Sequence, residues 1–266
     1  MGYSVKRLSK KQKKIWDALE GREIVSTKFF DVPTLQALGL YDCTLRLLVE
    51  GGLGGFIDHS APTFRNLVLE FLSTFHLDDE LVKFNLLDRE YQLPRAELAG
   101  IFGVTSPASN GWAAVGKNQE FFDFWHALTR QTFKSKQGEY NYSIPHPCLR
   151  LCHKVLAMTF LGQGEVNKVS MFDMSMVWCL TPEQPVVPDW VELFLESVKK
   201  VLKKPGERIG FGGMISLIAA RFVRFEDLGP PVGDGFVYDA RMLRRVHCLA
   251  RSEHDGWIWR MGPTGI

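Results

Sequence analysis

The hydrophobic period changes twice between residues 63 and 104, and this double change is the tightest constraint in the chain. The stretch reads TFRNLVLEFLSTFHLDDELVKFNLLDREYQLPRAELAGIFGV. Phe64, Leu67, Val68, Phe71, Leu72 and Phe75 fall at i, i+3, i+4, i+7, i+8 and i+11, the wide stripe of an amphipathic helix. Pro62 stands at its start, where a missing N–H costs nothing, and Asp78-Asp79 are expected to break it. Val82, Phe84 and Leu86 then alternate with Lys83 and Asn85, which is strand periodicity. Asp88-Arg89 is the expected turn, with Tyr91 and Leu93 on the returning strand. Pro94 opens a second helix through Leu98, Ile101 and Phe102, capped by Gly103. A hairpin of two strands is marginal alone in water, so this one has to pack on its flanking helices. No residue in the stretch looks catalytic.

The remaining segments read as helices. Leu8, Ile15 and Leu19 suggest a helix after Ser9. From Gly21 the signal is poor until Asp31-Val32-Pro33, which can open a short helix ending at Gly39. An apolar run of Leu45, Leu47, Leu48 and Val49 leads into Gly51-Gly52-Leu53-Gly54-Gly55, a turn or hinge without phosphate-loop spacing. Residues 105–117 are rich in turn formers and make the best internal boundary. Asn118 can cap a helix carrying Phe121, Phe124, Trp125 and Leu128. After a polar loop over 134–143, Pro145 and Pro147 introduce a helix with Leu149, Cys152, Leu156 and Phe160 inward, ended at Gly162. Ser170 opens the next, with Phe172, Met176 and Cys179 inward. Asp189 opens a regular helix with Trp190, Phe194, Val198 and Val201 on one face, and Glu196 set to pair with Lys200. Residues 209–222 form an apolar, glycine-containing helix, 226–236 a Gly/Pro loop, and Asp239 caps a short helix. Trp257-Ile258-Trp259 reads as a terminal strand or packing arm. The expected class is mainly α, with about nine helices and one small β-hairpin near residues 81–93. The expected divisions are a basic arm and helix over 1–20, a helical subdomain with the hairpin over 21–104, and a helical subdomain over 118–266. One continuous unit is the alternative to the last two.

Composition excludes some classes. With 45% hydrophobic and 23% charged residues, 266 in all, the chain can bury a sizeable core without staples. No run of about 18 apolar residues predicts a membrane span, and the N-terminus lacks the apolar core of a secretory signal. Lys6 stands where a myristoylation signal wants Ser or Thr. Five scattered cysteines fit a reducing compartment, hence cytoplasm or nucleus, better than a disulfide framework. Residues 1–16 carry Lys6, Arg7, Lys10, Lys11, Lys13 and Lys14 and no acid. Subtracting those six charges from the net +2 leaves a body of about −4. Such an arm suits nucleic acid, an anionic membrane or an acidic partner; it also reads as a solvated terminus or a nuclear import signal.

The order of elements resembles the first open-reading-frame protein of Athila-type plant retrotransposons and a related plant transposon protein domain. Four places carry the likeness: residues 67–104 with LP-x-x-E-L-A at their end; FFDFWHALT; IPHPCLRLCHKVLAMTFLGQGEVNKVSMFDMSMVWCL; and RIGFGGMISLIAARF followed by YDARMLRRV. Together they run from about Phe64 to Val246. The resemblance implies a gag-like or accessory protein of a mobile element, sometimes kept as a domesticated host gene. It brings no established catalytic residue. The chain lacks the C-x2-C-x4-H-x4-C zinc knuckle and the Asp-Ser-Gly or Asp-Thr-Gly protease motif.

His146, Cys148, Cys152 and His153 cluster in HPCLRLCH, where Cys148 and Cys152 share a helix face. A soft metal could sit there, but buried cysteine is commonly a small hydrophobe, and the expectation is no metal. No cofactor is expected either. A Cys/His hydrolase has a pool in Cys148, Cys152, Cys179, His126 and His153 but no local signature. Gly210-Phe211-Gly212-Gly213 reads as close helix packing rather than a phosphate cradle, and Asp78, Asp79 and Glu80 as a solvated corner rather than a cation site. Three basic groups remain for RNA: the arm, Lys6 to Lys14; Lys199, Lys200, Lys203, Lys204 and Arg208; and Arg241, Arg244 and Arg245. The reading is therefore a non-catalytic protein working through RNA, self-association or another protein. The competing reading is a host enzyme recruited from this scaffold, with a pocket between the halves formed by groups such as His126, His153 and Glu165.

Overall fold

The computed structural model describes residues 5–78, 80–105, 119–133, 139–163, 166–182, 187–204, 206, 208–233, 235–246, 248–252 and 256–259. The expected boundary loop beyond Thr105, the Asn118 cap, Asp79 and Glu165 lie outside these residues. Eleven α-helices stand among the described residues. They are α1 (Lys10–Glu20), α2 (Val32–Ala37), α3 (Tyr41–Glu50), α4 (Arg65–Thr74), α5 (Arg95–Phe102), α6 (Gln119–Thr129), α7 (Pro147–Thr159), α8 (Met171–Trp178), α9 (Trp190–Lys203), α10 (Gly212–Ala219) and α11 (Ala240–Arg245). The mainly α class holds, with more helices than the nine expected. The β content differs: a three-stranded antiparallel sheet, β1 (His76–Asp78), β2 (Leu81–Leu86) and β3 (Arg89–Pro94), replaces the lone hairpin. Two ribbons add β4 (Glu139–Tyr140) with β5 (Lys168–Val169), and β6 (Leu249–Ser252) with β7 (Gly256–Trp259). Among the described residues no helix is long and apolar enough to cross a membrane.

The extra strand arises because α4 stops at Thr74, four residues before the aspartates expected to break it. The Thr74 hydroxyl donates to the Glu70 carbonyl at 2.7 Å and accepts the Asn85 N–H of β2 at 2.8 Å. That ties the last turn of α4 to the sheet and leaves His76, Leu77 and Asp78 free to pair with Lys83, Val82 and Leu81. The turn lies one residue earlier than expected. Leu86 pairs with Arg89, so Leu87-Asp88 is a two-residue loop, and both have left-handed backbones, at φ 52° and 60°. Such a loop normally uses Asn-Gly, since side chains there strain the backbone. Glu70 compensates. Its fully buried carboxylate accepts the Leu87 and Asp88 N–H groups, both at 2.8 Å. Asp88 in turn accepts the backbone N–H groups of Lys6 and Arg7 at 2.8 and 2.9 Å. A buried acid on α4 thus fixes the hairpin turn, and the turn fixes the basic arm.

One buried cluster runs through elements on both sides of residues 106–118. Its centre is a chain of rings from distant segments: Phe56 to Phe160 at 5.1 Å, Phe160 to Trp190 at 5.3 Å, Phe102 to Phe194 at 5.1 Å and Phe194 to Phe211 at 5.7 Å. The glycine run after α3 is the joint that lets these elements approach. Gly52 has φ 74°, and its carbonyl accepts the Thr105 N–H at 2.8 Å. The Trp190 indole N–H donates to the Gly51 carbonyl at 2.7 Å. A Cβ on Gly103 would stand 2.6 Å from the Gly55 carbonyl carbon. These glycines serve backbone crossing, and no hinge needs to be invoked. Segment 23–30, where sequence signal was poor, runs extended. Ile24 bridges Ile209 and Phe29 bridges Val237, both in parallel.

Removing the Glu70 carboxylate strands two turn N–H groups. Glu70→Ala should lower unfolding free energy by about 3 kcal/mol in urea titration, and Glu70→Gln by about half of that. A second prediction concerns acid. His59 is half-buried beside Gly103, and burial lowers its pKa, with Asp58 partly opposing. A lowered folded pKa means the unfolded chain binds the proton more readily, so the stabilisation is full above about pH 6.5 and fades as pH falls through the folded value. Stability should decline between about pH 7 and pH 5, and His59→Gln should flatten that decline.

Candidate nucleic-acid interface

The arm group sits on a helix whose apolar side is committed elsewhere. Ser9 caps α1 reciprocally with Gln12, and Trp16 and Leu19 are buried in the cluster that holds α4. Ile15 is only partly buried, so Trp16, rather than the expected Ile15, carries the inner face. Lys10, Lys11, Lys13 and Lys14 are left exposed. Lys13 pairs with Asp17 at 2.8 Å; Lys10, Lys11 and Lys14 make no ion pair among the described residues. Lys6 and Arg7 are exposed on the segment pinned by Asp88, and a groove of about 420 Å³ runs beneath it past Lys6, Lys13, Trp16 and Glu20.

The second group lies at the end of α9. Trp190, Phe194, Val198 and Val201 face the core as expected. On the outer side Glu196 pairs with Lys199 at 2.6 Å, an i,i+3 contact, instead of with Lys200. Lys200, Lys203 and Lys204 are exposed. Arg208 pairs with Glu23 at 2.7 Å, the Arg22 guanidinium donates to the Val201 carbonyl at 2.8 Å, and the Ile209 N–H donates to the Glu23 carbonyl at 3.0 Å. These bonds bring the end of α1 to the end of α9, so the second group adjoins the helix bearing the first, with the α1 lysines about two to three turns further along. Of the third group, Arg241 and Arg245 line a hollow of about 140 Å³ with Val237 and Asp239, while Arg244 is exposed on the same short helix. Val237 is bridged to Phe29. Extended segment 23–30 therefore runs from the Arg208 corner to the Arg241 hollow.

A feature not singled out in the sequence lies on the β4–β5 ribbon. Tyr140 and Tyr142 are 48% and 43% exposed, and their rings stack at 5.0 Å with planes 7° apart. Lys168, paired with Tyr140 across the ribbon, places its ammonium 5.8 Å from the Tyr140 ring centre. Two parallel aromatic faces beside a cation suit base stacking on single-stranded nucleic acid. The signal was two aromatics in a stretch otherwise read as polar loop.

HPCLRLCH divides in the structure. Every residue of α7 from Cys148 to Thr159 is buried, Arg150, His153 and Lys154 included, so the one-sided stripe expected there is a helix buried all round. Cys152 is fully buried, and burial pushes its thiol well above the ordinary range, which disfavours the thiolate. His153 Nδ1 meets the Asn141 amide at 2.5 Å. It also stands near Asp173. Burial would raise that carboxyl, but His153 and Ser170 hold it below its usual range; among the described residues no aligned hydrogen bond forms to His153 Nε2. Of the groups of the expected pocket, His126 is exposed on α6 and His153 is fully buried. Cys148 turns toward α3, where its sulfur, the Cys43 sulfur and a ring nitrogen of His146 all lie within 4.8 Å of one another. Burial, with Cys43 beside it, pushes the Cys148 thiol up to about 12; burial and Arg46 lower His146. Cys43, remote in sequence, could not have been grouped with them by spacing.

The other candidates resolve as packing. The Gly213 N–H at the start of α10 donates to the Thr27 hydroxyl at 2.7 Å, and Cβ atoms on Gly212 and Gly213 would strike Thr63 and Phe29 at 2.4 and 2.6 Å. Asp78 pairs with Lys83 at 2.9 Å, a bond that lowers its carboxyl pKa, and the Glu80 carbonyl accepts the Arg95 N–H at 3.0 Å.

No curated protein and no solved structure matches the chain. A family model described as the ATHILA ORF-1 family matches residues 5–179. That span starts earlier than the likeness read from motifs and takes in the arm from Val5. It stops at Cys179, leaving α9, α10 and α11 outside. Covering about two thirds of the chain, it shows that this protein belongs to the ATHILA ORF-1 family of retrotransposon proteins.

Proposed function

We propose that this protein is a gag-like or accessory retrotransposon protein that works without catalysis by holding single-stranded RNA. The observation that carries this reading is the exposed lysine row of α1, pinned through the arm to the hairpin turn. Support comes from the lysines at the end of α9 and from the exposed Tyr140–Tyr142 stack beside Lys168. Lysines neutralise phosphates and release counterions, giving affinity without sequence preference. Tyrosine faces add stacking that any base can satisfy. The body's near-neutral charge outside the arm favours contact along a limited track over general adhesion.

Binding of a labelled single-stranded RNA to the full chain, followed by anisotropy across a salt series, tests this. The triple variant Lys10→Ala, Lys11→Ala, Lys14→Ala should bind more weakly and show a log–log salt slope shallower by about 2. Tyr140→Ala with Tyr142→Ala should weaken binding by about tenfold or more with the slope unchanged. If the wild-type chain binds no RNA at low salt, the reading fails. Self-association or capture of a protein partner without RNA binding would overturn it in favour of protein contacts.

A further inference from the structure

We propose that Cys43, His146 and Cys148 form a binding site for a single zinc ion at the α3–α7 junction. Cys43 lies in the first turn of α3, His146 is the N-cap of α7, and Cys148 is the second residue of α7. The two elements pack against each other, so the three ligand atoms come from rigid helix starts rather than from a loop. All lie within 4.8 Å of one another, and Cys43 Sγ is 3.8 Å from His146 Nε2. Ligand atoms around a tetrahedral zinc, at about 2.0–2.3 Å from the metal, stand about 3.5–3.8 Å apart. The cluster needs little closing to reach that geometry.

Burial and donor chemistry favour a metal over chance proximity. The Thr44 hydroxyl is fully buried and, among the described residues, has no aligned hydrogen-bond partner. It lies beside the Cys148 sulfur, one residue after Cys43 on α3, the place of an outer-shell donor to a metal-bound sulfur. Burial is graded from half-buried Cys43 and His146 to buried Cys148, which gives the site an entry side. Two thiolates cancel the charge of a divalent ion, so the loaded site is neutral and costs little to keep half-buried. The exposed Arg46 guanidinium near His146 opposes a bare cation but not a neutral complex. A set of two sulfurs and one imidazole selects zinc or another soft ion over magnesium or calcium. Three protein ligands leave the fourth position to water.

His146 Nδ1 accepts the Leu149 N–H at 3.3 Å, so the neutral ring carries its proton on Nε2. On binding, both S–H bonds break and two protons pass to solvent. The imidazole proton moves to Nδ1, and this long cap bond is released.

Cobalt(II) titration of the full chain, purified under reducing conditions, tests the site. Wild type should take up one cobalt per chain with a sulfur-to-cobalt charge-transfer band and the strong visible bands of a tetrahedral site, both bleached by zinc. Cys43→Ser and Cys148→Ser should each abolish the charge-transfer band. Thr44→Val should weaken binding by about 10–100-fold. Cys152→Ala, which alters the neighbouring buried cysteine on the same helix, should leave the spectrum intact. Circular dichroism melts of each variant confirm folding, and half-buried Cys43 makes Cys43→Ser the decisive variant where Cys148→Ser fails to fold. Absence of cobalt and zinc binding by wild type, or a band that survives Cys43→Ser, would overturn the proposal. So would a Cys43–Cys148 disulfide in the reduced preparation without metal.

Discussion

A helix with no exposed side sets the terms for this protein. From Cys148 to Thr159 α7 is buried, and it takes Arg150, His153 and Lys154 with it. Burying a cation costs several kcal/mol unless the protein supplies what water supplied. The surroundings are arranged to do that. Lys154 donates to the Val166 carbonyl at 3.0 Å, Arg150 lies 4.9 Å from the Trp259 ring centre, and the Asn141 amide meets the Arg150 carbonyl and His153. Desolvation lowers the pKa of both cations, with Cys248 opposing. The groups that meet these side chains lie next to β4 and β5 and on β7.

A second chain of dependence runs outward from a single buried acid. Glu70 holds the strained Leu87-Asp88 turn, and Asp88 holds the arm. The arm's lysines are thereby presented from a fixed base. Arg95 adds a brace from the end of β3 to α9, bonding both the Asp189 cap and Glu192. The lysine-rich start of the chain is thus anchored to the α4–β2–β3 unit.

Some of the candidate surface was legible in the sequence and some was not. The lysines of α1 were, because a run of like charge on one helix face cannot be buried. The Tyr140–Tyr142 platform was not, because stacking depends on a ribbon whose two strands are separated by α7. The Cys43–His146–Cys148 cluster was half visible. Its His-x-Cys portion sits at a helix start, but spacing pointed to Cys152 as companion, and only packing of α3 on α7 substitutes Cys43.

By itself the sequence determined what local periodicity and caps can determine. It gave the helix–strand–strand–helix order of residues 63–104, the Ser9, Asp31, Ser170, Asp189 and Asp239 caps, the Gly103 stop and the inner face of α9. Each follows from side chains within a few residues of one another. Tertiary structure decided the rest. Thr74 bonding to Asn85 ended α4 early and created β1. Glu70 moved the turn by one residue. Segment 23–30 had no local pattern because its hydrogen-bond partners lie near residues 209 and 236, and its conformation is set by those long-range pairings. Charged residues on α7 were forced inward because the elements around that helix leave no side of it to water.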